Sequence, residues 1–174
     1  TQPAKQWTEA LPVGNGRLGA MVFGNATDER IQLNEDTLWD GYSRDTTNPE
    51  ALEALPEVRR LLFEGKNAEA TKLAGEKMMG RPMGVESYQS LGDLHIDCPT
   101  TGAVTDYRRS LDLDTGLATT TWTADGVRFT REVFASAPDN VIVVRLTADK
   151  PAAITCAVTI ARQQDAGSLS EGND

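Results

Sequence analysis

Histidine is nearly absent and cysteine scarce, with one His and two Cys in 174 residues. A structural zinc site draws four ligands from such residues. No plausible zinc cage can therefore be assembled, and neither metal nor other cofactor is expected. No apolar run approaches the ~20 residues needed for a membrane-spanning helix, so no membrane partner is expected. Basic residues are outnumbered 17 to 26, leaving a net charge of −9. A polyanion would be repelled, which argues against nucleic acid as a partner. A neutral ligand such as a glycan is compatible with that charge. An initiating Met and a basic-then-apolar leader are also missing. Such a start reads as processed or engineered and leaves the compartment unassigned.

The remaining composition, 39% hydrophobic and 25% charged, is that of a soluble globular protein. The length suits one domain with a sizeable core. Cys98 and Cys156 lie far apart, each in or beside a candidate strand. A disulfide between them stays open. A free Cys is commonly just a small buried apolar residue, and that is the expectation here.

Along the chain the pattern runs β, then a helical insertion, then β hairpins. Arg17 to Phe23 is apolar on both faces, as in an interior strand. Residues 24–28 carry turn chemistry, and Arg30 to Leu33 alternates as a half-buried return strand. Asn48-Pro49 is a helix start signal. Leu52, Leu55, Val58, Arg59 and Leu62 recur at helical spacing, and Gly65 closes the segment. Pro56 is expected to split it into two short pieces, since an interior proline removes a hydrogen bond and clashes with the preceding turn. A second helix is expected from Ala68 to Met79, capped by Asn67 and ended by Gly80.

From Leu91 the period becomes two. Leu94 and Ile96 alternate with His95 and Asp97, and Tyr107, Arg109, Leu111 and Leu113 line one side of the next strand. Leu117 to Thr123 and Val127 to Ala135 flank Asp125-Gly126, a type I′ hairpin signal. Further turns at residues 138–140 and 149–151 lead into Val141 to Thr147, then Ile154, Cys156, Val158 and Ile160. Short strands at regular spacing predict a mainly β, antiparallel sandwich. Its domain would span residues 1–162, with a short two- to three-helix insertion at about 48–80. The polar tail, 163–174, is expected to fray.

Gly14-Asn15-Gly16-Arg17-Leu18-Gly19 matches the dinucleotide fingerprint literally. That fingerprint works only between a strand and a helix whose N-terminus receives the pyrophosphate. Here a β pattern follows, so the glycines are read as a tight bend. Asp112-Leu113-Asp114-Thr115-Gly116 lacks the glycine and glutamate positions of a calcium loop and reads as a turn between strands. Asn34, Glu35 and Asp36 with Trp39 form the sharpest candidate site. Carboxylates and amides can bind sugar hydroxyls while an indole covers an apolar sugar face. The plainer alternative is that the polar residues shape a turn and Trp39 fills a core or interface. Trp7, Tyr42 and Tyr88 share that ambiguity.

Glycosidase carboxylates flank the scissile bond at about 5–5.5 Å or about 6.5–9.5 Å. Adjacent strand residues such as Glu35 and Asp36 point to opposite faces, and no other acid pair stands out. No catalytic residue is assigned.

The run from Glu9 to Gly24, followed by Ile31 to Trp39, resembles the opening of glycoside hydrolase family 95, the α-L-fucosidase family. Residues 48–51, 58–65, 78–80, 88–94, 107–114 and 131–136 follow that family's order. Roughly residues 7 to 160 are covered. Ser90, where Pro is expected, and His95-Ile96, where apolar or aromatic residues are common, are minor departures. The resemblance implies an N-terminal β-super-sandwich preceding a catalytic (α/α)6 barrel that is not among these residues. It also implies hydrolysis of α-L-fucosides by the parent, with a fucosylated glycan as ligand and a secreted or periplasmic setting. The family's general acid and Asp-assisted Asn base lie in the barrel, so none is carried over. That family's sandwich is longer than this chain, which implies unpaired sheet edges here. The expectation is a non-catalytic N-terminal domain, and its rival is a free-standing carbohydrate-binding module.

Overall fold

The computed structural model describes residues 2–84, 86–163 and 167. Among these residues a short 3-10 turn (Trp7–Glu9), nine strands and two α-helices follow in order, the strands and α-helices being β1 (Leu11–Gly14), β2 (Leu18–Val22), β3 (Asp28–Glu35), α1 (Ala51–Phe63), α2 (Asn67–Lys77), β4 (Gly92–Asp97), β5 (Thr105–Asp112), β6 (Leu117–Ala124), β7 (Val127–Ser136), β8 (Val141–Ala148) and β9 (Ala157–Ala161). Two compact units result, one of Thr1–Leu38 with Gln89–Asp174, the other of Trp39–Tyr88. The expected tail from 163 lies almost wholly outside the described residues.

The first unit is the expected antiparallel sandwich. One sheet has the order β1-β2-β3-β4-β9, the other β5-β6-β7-β8. Val13, Ala20, Val22, Ile31 and Ile96 of the first sheet meet Ala118 and Val133 of the second in one core. Strand β6 shows the cause most simply. Its residues alternate, with Ala118, Thr120, Trp122 and Ala124 buried, as the period of two requires. Trp122 stacks on Phe129 with ring centroids 5.3 Å apart. Between β6 and β7, Asp125 and Gly126 both take positive φ, 51° and 69°, as a type I′ turn demands.

The core also contains a charged pair that the sequence pattern does not reveal. Glu29 on β3 and Arg131 on β7 are fully buried and ion-paired. Glu29 accepts the Gly24 amide at 2.8 Å, and Arg131 donates to the Asn25 carbonyl and lies over the Trp122 ring. From β5, Tyr107 donates to the Gly24 carbonyl and Arg109 to that of Phe23. Gly24 sits at φ +79°, where an added Cβ would lie 2.9 Å from Arg109 Cδ. Only glycine fits there.

Cys98 and Cys156 form a disulfide with Cα atoms 4.3 Å apart, so the expectation of free cysteines is corrected. Strand β4 and the segment entering β9 are neighbours, which sequence distance conceals. The strand predicted through Ile154 and Cys156 starts only at Ala157. Register places Val158 opposite Ile96 and Ile160 opposite Leu94. They therefore share the interior face, yet both are more than half exposed. Leu113 is 86% exposed; it lies past the end of β5, in the turn where Asp112 Oδ1 accepts the Asp114 and Thr115 amides.

In the second unit, α1 and α2 pack through Val58, Leu61 and Ala70, with Leu73, Ala74 and Met78 against them. Pro56 does not split α1, which runs unbroken from Ala51 to Phe63. Proline at the sixth helical position forfeits only one backbone bond, to Leu52, and the packing of Val58 and Leu61 on α2 holds the turns that follow it. Buried Asn48 accepts the Glu50 amide and donates to the Lys77 and Met79 carbonyls, tying the start of one helix to the end of the next.

Glu29→Leu should strand the Arg131 guanidinium, which cannot shed its proton, and lower unfolding free energy by about 3–5 kcal/mol in urea titration. Burial pushes the Glu29 carboxyl up to about 7 from 4.5, outweighing the pull of Arg131 and the backbone amides. A raised folded-state pKa contributes stability below about pH 4.5 that is lost as pH rises through about 7. The urea midpoint should accordingly fall between pH 5 and 8, and less steeply in Glu29→Gln. Cys98→Ser/Cys156→Ser, which opens a loop with a sequence separation of 58, should cost about 4 kcal/mol on the chain-entropy model.

Candidate functional site

Asn34 and Glu35 close β3, and their register partners on β2 are Gly19 and Leu18. The absent side chain of Gly19 leaves room beside Asn34: a Cβ built there would rest 3.7 Å from the Asn34 Cβ. Asn34 is half-buried and Asp36 exposed. The Glu35 carboxylate accepts Arg17 Nε at 3.0 Å, the Thr37 amide at 2.9 Å and the Thr37 hydroxyl at 2.6 Å. The Asp36 amide donates to the Arg17 carbonyl. This is turn chemistry, in which a side-chain acceptor satisfies amides that leave the ladder.

The hydrogen bonds from Thr37 and Arg17 hold the Glu35 carboxyl down to about 2. A group ionised throughout the physiological range cannot serve as a general acid. It can act as a fixed acceptor for hydroxyls. Glu29, the carboxyl with the opposite shift, is sealed in the core and beyond reach of any substrate.

Trp39 belongs to the second unit, and the boundary falls between it and Leu38. It forms an antiparallel bridge with Tyr88, and the rings meet edge to face with centroids 5.0 Å apart. The Asp40 amide closes this bridge by donating to Ser87 at 2.8 Å. Trp39 is 52% exposed and Tyr88 42%, so neither fills a core within its unit. Tyr42, also of this unit, and Trp7 of the other are exposed as well. Both the sequence candidates and the aromatics are thus at the surface, but the set divides: Asn34, Glu35 and Asp36 in the sandwich, Trp39 in the helical unit. The Trp39–Tyr88 pairing joins residues far apart in sequence, and no local signal announces it.

The remaining motif resolves structurally. Gly14 to Leu18 forms the bend between β1 and β2, and no helix follows. Asn15 Oδ1 accepts the Arg17 and Leu18 amides, and Asn15 Nδ2 donates to the Ser136 carbonyl and Asn140. Its side chain pins this turn to the β7–β8 turn and is not free for a ligand. Among the described residues no three His, Cys, Asp or Glu side chains cluster for a metal. No helix among the described residues is long and apolar enough to cross a membrane.

An antiparallel sandwich interrupted by a helical hairpin defines a mainly β fold. The chain belongs to the family described as "Glycosyl hydrolase family 65, N-terminal domain", whose model matches residues 1–173. The matched description carries the number 65 where the sequence resemblance was to family 95; both designate glycoside hydrolases. The chain is 44% identical over 160 residues to alpha-L-fucosidase 2 of Arabidopsis thaliana, an alignment covering 90% of this chain and 19% of that protein. It is 37% identical over 149 residues to a probable alpha-fucosidase A of Aspergillus niger, covering 82% and 18%. A probable alpha-fucosidase A of Aspergillus oryzae is 35% identical over 145 residues, covering 79% and 19%. The chain thus spans about a fifth of the length of these relatives.

In a pH titration followed by carboxyl NMR, Glu35 should titrate near 2. Removing its donors in Arg17→Ala/Thr37→Val should move it up toward 4.5. A Glu35 resonance that titrates at the ordinary value in the wild type would break the turn assignment.

Proposed function

We propose that this chain is the N-terminal, non-catalytic domain of an α-L-fucosidase-like glycoside hydrolase. Its catalytic (α/α)6 barrel would lie elsewhere in the polypeptide. The observation that carries this reading is the extended identity to proteins named alpha-fucosidases, over most of this chain but only a fifth of theirs. The chemistry of the residues agrees. Glu35 is held ionised and Glu29 is sealed, so neither supplies the proton that a glycosidic leaving group requires. The domain's work is then to pack on the barrel; the aromatic pair Trp39–Tyr88 of the helical unit and, separately, Asn34, Glu35 and Asp36 of the sandwich are the groups offered to a sugar.

Two further features support a parent of this kind. The interior-facing but exposed Val158 and Ile160 suit a sandwich that further strands complete. The Cys98–Cys156 disulfide suits folding in an oxidising, secretory or periplasmic compartment. A second reading, a carbohydrate-binding module active on its own, draws on the exposed aromatic pair.

Fucose release from 2′-fucosyllactose by this chain and by the full-length protein separates the possibilities. An active full-length protein and an inert chain are expected. Release by the chain alone would overturn the accessory reading, and saturable binding of the glycan to the chain alone would favour the module. In the full-length enzyme, Trp39→Ala should lower turnover or melting temperature. A variant silent in both measurements ends that role for Trp39.

A further inference from the structure

Helix α1 carries more apolar surface than its own unit covers. Projected at 3.6 residues per turn, Val58 and Leu61 form the stripe that packs on α2, with half-buried Ala54 on the same face. Beside it runs a second stripe of Leu52, Leu55, Arg59, Leu62 and Phe63. Only the narrow arc of Glu53, Glu57, Arg60 and Glu64 is wholly polar, and Arg60 is already paired with Glu57 and Glu64. A helix at a protein surface normally shows a single apolar stripe, and one that is apolar over most of its circumference is enclosed. Yet Leu52 is 78% exposed, Leu62 51% and Phe63 90%. Large side chains left in water at this density mark an interaction surface. Within the stripe stands Arg59, whose side chain makes no ion pair or hydrogen bond with another described residue. An arginine amid apolar neighbours is the composition of an interface anchor, where a carboxylate answers the guanidinium in a fork geometry.

We propose that this outer face of α1 docks onto the remainder of the same polypeptide, in an apolar groove that sets a carboxylate opposite Arg59. The occupant follows from length: the relatives are roughly five times longer than this chain, so most of such a polypeptide is available to cover the face. The inference rests on reading the chain as one domain of a longer protein, but not on that protein's substrate. It assigns the helical unit a role distinct from its aromatic pair, as the anchor that fixes this module to its neighbour.

Hydroxyl-radical footprinting of the full-length protein, read by mass spectrometry, tests it. The native-state labelling of Leu52, Leu62 and Phe63 is compared with that of the same residues in the urea-unfolded protein, with buried Leu61 as the protected standard. Labelling slowed several-fold to the level of Leu61, at every protein concentration, is the expected result. Labelling of Leu52 and Phe63 as fast as in the unfolded protein overturns the proposal. Protection that disappears on dilution also overturns it, because a second copy would then be the occupant. Arg59→Glu should restore labelling of the stripe while Arg59→Lys largely preserves protection. Unchanged protection in Arg59→Glu removes the carboxylate from the proposal. Fucose release is assayed separately, so a protein that protects α1 without releasing fucose refutes the proposed activity and leaves the docking face standing.

Discussion

The sandwich is organised around one buried ion pair, Glu29 with Arg131. Each side chain comes from a different sheet, so the pair exists only when the sheets are face to face in this register. Removing two charges from water costs several kcal/mol apiece, and only good geometry with further hydrogen bonds offsets it. The protein supplies part of this by bending the chain at Gly24, whose amide meets Glu29 while the Asn25 carbonyl meets Arg131 Nη2; Arg131 Nε and Nη1 are buried without a partner. Tyr107 and Arg109 hold the same bend from β5.

What could be read from the sequence was whatever depends on neighbours along the chain. Asp125-Gly126 specified its hairpin because positive φ is a property of those two residues. The apolar periods of residues 51–63 and 94–97 likewise report local geometry. Pro56 misled because proline's cost was weighed against the helix alone, while the packing of Val58 and Leu61 on α2 decides the outcome. Leu113 misled in the opposite way, since it keeps the strand's alternation one step after the backbone has turned.

Long-range pairings were illegible for a related reason. Glu29 precedes an alternating run and Arg131 sits mid-strand, and nothing local distinguishes either from a solvent-facing charge. Cys98 and Cys156 resembled isolated small apolar residues until β4 and β9 proved to be adjacent. The candidate site was half legible. The sequence marked Trp39 as an aromatic of interest, but not that Tyr88 is its partner. It grouped Glu35 with functional carboxylates, whereas Arg17 and Thr37 claim that carboxylate for a turn.

The disulfide has a topological consequence. Its ends, Cys98 and Cys156, bracket all of β5, β6, β7 and β8. The entire second sheet is therefore drawn as a ring closed at its base. A peptidase that cuts any one of its hairpins leaves the two products joined through sulfur, with each strand still held by its neighbours. The exposed turns of this sheet can then be nicked without the module shedding a fragment.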